Sequence, residues 1–164
     1  MNKETREEKF IRIAEKRMSR IFSQMNLIAN LSSKKHYSYT ENEVKELFQC
    51  YEDKGKEIKL FFESSSNIDF PLPTEFSFSN AIEREEKGEK FRKLAESRMS
   101  KIFTDMNLIA NLSNKKNYSY NSFQINELFQ AYEDKGKEIK LFFEPLNDKF
   151  TFSNKKNPPK NKNS

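Results

Sequence analysis

What most constrains this chain is a repeat: residues 9–63 realign on residues 90–144 at a constant offset of 81, with 39 of 55 positions identical. Such self-similarity makes the fold two copies of one supersecondary unit, and any site built by the unit must occur twice. A chain of 164 residues buries a moderate core as one domain, or as two small units sharing one core. Two repeats suit the second arrangement. Residues 1–80 make repeat 1 with an extended strap, 81–154 make repeat 2, and 155–164 form a basic tail.

Each repeat opens with a helical stripe. Phe10, Ala14, Met18, Ile21, Met25 and Ile28 are spaced by fours and threes, and Phe91, Ala95, Met99, Ile102, Met106 and Ile109 repeat them; that spacing is one face of an α-helix. No residue from Ile21 to Ser33 is charged, and only Asp105 interrupts the same stretch in the second copy. A helix apolar around much of its circumference belongs in a core or an interface. The second helix announces itself by its cap: Thr40 with Glu43 spells a capping box, and Asn121 with Gln124 preserves it. Tyr39 with Val44 and Tyr120 with Ile125 occupy the staple positions beside those caps. The helix then carries Val44, Phe48, Tyr51, Gly55, Ile58 and Phe62, matched by Ile125, Phe129, Tyr132, Gly136, Ile139 and Phe143. A glycine inside a helix costs about 1 kcal/mol relative to alanine, so Gly55 on the apolar face implies close approach of another helix; the rival is a kink or helix end.

Each unit is thus a helical hairpin with a polar loop, Ser32–Ser38 or Ser113–Ser119. One hairpin cannot cover its own apolar face, but two can. The expected fold is all-α, two tandem hairpins forming a pseudo-twofold four-helix bundle. After the first hairpin, Ser64–Asn67 ends the helix and Phe70-Pro71-Leu72-Pro73 continues as an extended strap. Phe76-Ser77-Phe78-Ser79-Asn80 recurs as Phe150-Thr151-Phe152-Ser153-Asn154, an alternation that suits a short strand or an extended segment whose phenylalanines dock on the bundle, with pairing of the two segments as a further expectation. Asn80 and Glu83 read as the cap of the helix leading into repeat 2.

Composition removes several function classes. A 35% hydrophobic fraction with sixteen phenylalanines supports a packed interior, and 34% charged residues with three glycines point to helix-rich soluble structure without a membrane span. The charged start, Met1–Glu8, lacks the apolar run of a secretory signal, so a cytoplasmic location is the default expectation. Cys50 is the sole cysteine and Ala131 replaces it in the second copy, which excludes an intramolecular disulfide. Net charge is +5, but residues 1–80 sum to zero, 81–154 to +1, and Lys155, Lys156, Lys160 and Lys162 supply +4. The basicity therefore sits in a tail with nothing apolar to bury, expected to be disordered.

The runs Arg98-Met99-Ser100, Met106-Asn107-Leu108-Ile109-Ala110-Asn111-Leu112-Ser113-Asn114-Lys115 and Tyr118-Ser119-Tyr120 before a capped helix resemble small uncharacterised helical proteins of bacterial phages and plasmids. The likeness covers about 55 residues per copy, and its signature is Asn-Leu-Ser-Asn with Tyr-x-Tyr; the first copy departs at Ser33 and His36, where the second has Asn114 and Asn117. The resemblance brings no activity. It implies a mobile-element setting, in which small non-enzymatic proteins bind host factors or nucleic acid.

No catalytic residue, metal ligand set or cofactor motif stands out. Acid–base catalysis needs a positioned group with a tuned pKa, whereas Glu52, Asp53 and Glu57 and their partners Glu133, Asp134 and Glu138 read as solvated helix faces. Glu52 with Lys56 and Glu133 with Lys137 have the spacing of helix-supporting pairs. The lone histidine, His36, sits in a loop far in sequence from Cys50. Three binding readings remain. The first is a protein-interaction module using the uncharged Ile21–Leu31 stretch and, Asp105 aside, its Ile102–Leu112 counterpart, where a face left apolar would take a partner helix or make a homodimer; full use of those stretches by the core is its rival. The second is nucleic acid on Arg12, Lys16 and Arg20, echoed by Lys93 and Lys101 and joined by the loop lysines Lys34, Lys35, Lys115 and Lys116 and the basic tail, contacts that position phosphates without reading sequence. The third is a small nucleotide-like anion at the loops, held by Lys34, Lys35 and Tyr37 and by Lys115, Lys116 and Tyr118 beside a capped helix start.

Overall fold

A computed structural model describes residues 3–63, 72–80, 82–145 and 149–153. Ser64–Asn67, Phe70, Pro71, Asn154 and the 155–164 tail lie outside the described residues. The described chain is all-helical: α1 (Arg6–Ala29), α2 (Glu41–Glu63), α3 (Glu86–Ala110) and α4 (Ser122–Lys140) form a four-helix bundle. Short 3-10 turns follow α1, α3 and α4, at Asn30–Ser32, Asn111–Ser113 and Leu141–Phe143. No described helix is long and apolar enough to cross a membrane.

The caps form as their sequences require. The Thr40 amide donates to Glu43 Oε1 at 2.8 Å and the Glu43 amide to Thr40 Oγ1 at 3.1 Å. Asn121 and Gln124 make the same exchange, and Thr5 with Glu8 forms a third box that starts α1. Asn80 and Glu83 do not cap α3, contrary to the sequence expectation; that helix begins at Glu86, with Glu85 as a cap residue making no side-chain capping bond. The reason lies upstream. Arg92 takes the Asn80 carbonyl and Glu43 takes the Arg84 guanidinium, which holds the chain before Glu86 out of the helix.

Both helical stripes point inward, and all twelve of their first-helix residues are buried. The second-helix stripes follow suit except at Phe62, which is half-buried. Helices of the same copy, however, are not neighbours. α1 packs on α3 and α4, and α2 packs on α3 and α4, so α1 and α2 face each other diagonally across the core. Each hairpin is an open U filled by the other copy.

The interlock is tied by bonds that recur with the copies exchanged. Arg17 Nη1 donates to the Leu108 carbonyl and Arg98 Nη1 to the Leu27 carbonyl, both at 2.7 Å, which sets α1 antiparallel to α3. Tyr51 donates its hydroxyl to the Tyr132 carbonyl and Tyr132 to the Tyr51 carbonyl, again both at 2.7 Å. The two rings stack at 4.0 Å, and each lies over the other copy's glycine. A Cβ placed on Gly55 would sit 2.5 Å from Tyr132 Cε2, and one on Gly136 would sit 2.5 Å from Tyr51 Cε2. The glycines therefore permit close helix approach, and α2 runs on past Gly55 to Glu63.

Tyr39 and Tyr120 pin the loops by donating to the Ser32 and Ser113 carbonyls at 3.0 and 2.8 Å. Their rings reach across the copies, Tyr39 to Phe91 and Phe143, Tyr120 to Phe10 and Phe62.

Candidate functional site

One surface of the bundle differs between the copies. Residues 72–80 run as an extended strap along the groove between α2 and α3. The Pro73 carbonyl accepts from Lys54 Nζ at 3.0 Å and Asn107 Nδ2 at 3.2 Å. Further along, the Phe76 amide donates to Ser100 Oγ, the Phe78 amide to Glu96 Oε2 and the Ser79 amide to Glu46 Oε2, each at 2.9 Å. Side chains two apart on an extended segment share a face. Phe76 and Phe78 accordingly both turn toward the bundle, 8% and 7% exposed, with Phe76 on Phe103 and Phe78 on Phe91.

The receptor for this strap is a stripe on α3, Glu96, Ser100, Phe103 and Asn107, opposite Glu46 and Lys54 of α2. The same stripe stands on α1 as Glu15, Ser19, Phe22 and Asn26, opposite Glu127 and Lys135 of α4. There, each of these six residues is one burial class more exposed than its counterpart. Leu128 and Ala29 are likewise half-buried where Leu47 and Ala110 are buried. The difference is the footprint of the strap. Among the described residues no segment lies over the α1/α4 groove in the way residues 72–80 cover α2/α3.

The second Phe-x-Phe segment does not supply the cover. Phe150 and Phe152 are 78% and 75% exposed and touch each other at 4.8 Å, which corrects the expectation that both segments dock on the bundle. Nor do the two segments pair, since no strand occurs among the described residues.

A second asymmetry anchors the filled groove. Glu43 is buried beneath Arg84 and Arg92, with ion-pair distances of 2.5 Å to each. Burial works against its charge, but hydrogen bonds from the two guanidiniums and from the Thr40 amide hold its carboxyl below the ordinary value. Arg92 also covers the Phe78 ring. In the other copy Gln124, Lys3 and Ile11 replace Glu43, Arg84 and Arg92, so this clamp exists once.

The residues singled out from sequence divide between other surfaces. The loops meet the other copy's first helix: Ser38 donates to the Lys87 carbonyl and Ser119 to the Arg6 carbonyl. Lys34 and Lys115 lie over the rings of Tyr39 and Tyr120, while Tyr37 and Tyr118 receive Lys90 and Lys9 from the other copy. Lys35 and Lys116 are exposed. The loops thus sit at opposite ends of the bundle as two separate cationic corners. Of the proposed phosphate face, Arg12 pairs with Glu4 at 2.7 Å and Arg20 with Asp105 at 3.2 Å; Lys16, Lys93 and Lys101 are exposed. Of the uncharged first-copy stretch, Ile21, Met25, Ile28 and Leu31 are spent on the interior, while Phe22 is half-buried and Leu27 exposed.

A further groove of about 570 Å³ lies between α2 and α4 over the stacked tyrosines, rimmed by lysines and by Glu52 and Glu133. Two rim cations are already paired, Lys59 with Glu63 and Lys137 with Glu133. Cys50 does not line this groove. Burial, with Glu46 and Asp53 nearby, pushes its thiol up to about 12, and the sulfur donates to the Leu47 carbonyl. No group of described residues has the composition of a metal site.

Sequence reasoning found the Phe-x-Phe repeat but missed its receptor. The signal was present: Glu, Ser, Phe and Asn at steps of four, three and four recur in both copies on the flank of the core stripe. Compared with known protein families, curated proteins and solved structures, the chain matches none of them.

Proposed function

We propose that this chain is a non-enzymatic protein-binding module whose site is the open α1/α4 groove. Its ligand is an extended peptide carrying Phe-x-Phe. The observation that carries this reading is the α2/α3 groove, where the same receptor residues hold such a segment through two inward phenylalanines and alternate backbone amides. An extended ligand supplies its own backbone donors, so affinity comes from main-chain bonds and specificity from pockets for alternate side chains. Glu15 and Ser19 offer the acceptors, while Phe22 and Phe10 offer the aromatic floor.

The test uses a fluorescently labelled peptide of the strap sequence Leu72–Asn80, titrated into the full chain carrying Phe150→Ala and Phe152→Ala. Saturable one-to-one binding is expected. Adding Ser19→Arg, which fills the groove from an exposed position, should weaken binding by roughly tenfold or more, about 1.4 kcal/mol, with circular dichroism unchanged. Absence of saturable binding, or binding indifferent to Ser19→Arg, rejects the reading.

A further inference from the structure

Resting on that groove reading, we infer that its occupant is the Phe150–Ser153 segment of a second copy of this chain. The segment repeats the docked sequence, Phe-Thr-Phe-Ser for Phe-Ser-Phe-Ser, and it presents both phenylalanines to solvent. Each chain therefore carries one open receptor and one undocked ligand of the matching kind.

Reach decides which groove the segment fills. In the first copy the docked strap lies with Pro73 beside Lys54 and Ser79 beside Glu46, which puts Phe76 near the level of Cys50. The equivalent level on α4 is Ala131. Climbing back there from Glu144, past the 3-10 turn and up α4, covers about 22 Å. The first copy has thirteen residues from Glu63 to Phe76 for the same path, whereas Phe150 follows Glu144 by six. Six fully extended residues span about 20–22 Å, which leaves nothing for the sideways step off α4. Unwinding the last turn would supply length, but it would pull Phe143 from its buried seat against Tyr39, Phe48 and Phe91. The groove of another copy carries no such limit. Two chains that exchange segments reciprocally close a twofold dimer, and the second contact forms at the high effective concentration set by the first.

Sedimentation equilibrium of the full chain, from micromolar to millimolar concentration, reads the association. The mass should rise from 19.6 kDa toward twice that value. Phe150→Ala with Phe152→Ala should leave a monomer, as should Ser19→Arg or, as an independent groove variant, Glu15→Lys. Mixing the segment variant with a groove variant should restore association, because one retains the receptor and the other the ligand. A wild-type monomer at every concentration overturns the inference, as does a dimer that survives both classes of variant. The two proposals fail separately. Strap peptide that binds while the wild-type chain stays monomeric leaves the groove reading intact and overturns exchange between copies. Wild type that stays monomeric yet refuses the peptide its segment variant binds identifies docking within one chain, which also overturns it. Failure of peptide binding removes the groove itself.

Discussion

Tyr51 and Tyr132 concentrate the contact between the copies into two side chains. Each is 2% exposed, stacked on the other, and hydrogen-bonded through its hydroxyl to the other's backbone. A ring held in three ways cannot retreat. Replacing Gly55 by alanine would gain about 1 kcal/mol of helix propensity, but the new methyl would meet Tyr132, and overpacking a well-packed core costs about 1–3 kcal/mol. Gly55→Ala should therefore destabilise the fold, and Gly136→Ala should do the same against Tyr51; a rise in the denaturation midpoint for either would refute the locked stack. The same burial sets an alkaline limit. It raises the hydroxyls of Tyr51 and Tyr132 above their ordinary 10.0 and the Cys50 thiol from 9.0 to about 12. All three are neutral when protonated, so the folded state keeps protons that the unfolded chain releases. Their contribution is complete below pH 9.0 and is lost as pH rises through the folded values. The denaturation midpoint should fall progressively above pH 9.0, with part of the tyrosinate absorbance appearing only together with unfolding. Tyrosinate that develops in full ahead of unfolding would show the rings to be accessible.

At the scale of elements, helices were the legible part of this sequence because a stripe at helical spacing and a capping box are both local signals. Phe10 to Ile28 and the Thr40 and Asn121 caps needed no knowledge of the rest of the chain. The start of α3 was illegible for the opposite reason: Asn80 and Glu83 have the right spacing, but Arg84 and Arg92 respond to Glu43 on another helix. The second Phe-x-Phe segment misled in the same way, since docking depends on a connection length that a pattern of phenylalanines does not encode. Glu43 serves both as a cap partner and as the anion of the clamp, and the sequence itself offers a way to separate the roles. Gln124 fills the capping role in the other copy, so Glu43→Gln should keep the cap while removing the charge between two guanidiniums. Stripping one partner from a buried ion pair costs about 3–5 kcal/mol, and the loss should be accompanied by faster hydrogen exchange at the Phe76, Phe78 and Ser79 amides. Loss of less than about 1 kcal/mol, the scale of a surface pair, would mean that the clamp does not secure the strap. The loss should be confined to acidities at which Glu43 is ionised. Its folded pKa lies below 4.5, so wild type holds the advantage above that pH and forfeits it as pH falls through the folded value.

For the whole molecule, the repeat announces a bundle of two copies but not which helices touch, because one apolar face per helix is satisfied by an adjacent or a diagonal partner. The observed arrangement is diagonal: α1 and α2 meet chiefly through α3 and α4. Neither copy therefore possesses a core of its own, because each helix packs on the helices of the other copy. Folding of one copy cannot precede the other by more than transient structure. Unfolding should be a single transition, with circular dichroism and tyrosine fluorescence superimposable across denaturant and the calorimetric enthalpy equal to the van't Hoff value. Equivalent core lesions should then be equally damaging to the whole. Ile28→Asp and Ile109→Asp each place a carboxylate at a fully buried position, and an unpaired buried charge falls among the exceptional lesions beyond about 4–5 kcal/mol, against a total stability of about 5–15 kcal/mol. Either substitution should abolish or severely depress the melting transition of both copies together. If Ile28→Asp instead left a cooperative transition carrying half the helical signal, repeat 2 would own a self-sufficient core, and the interlocked bundle would be wrong.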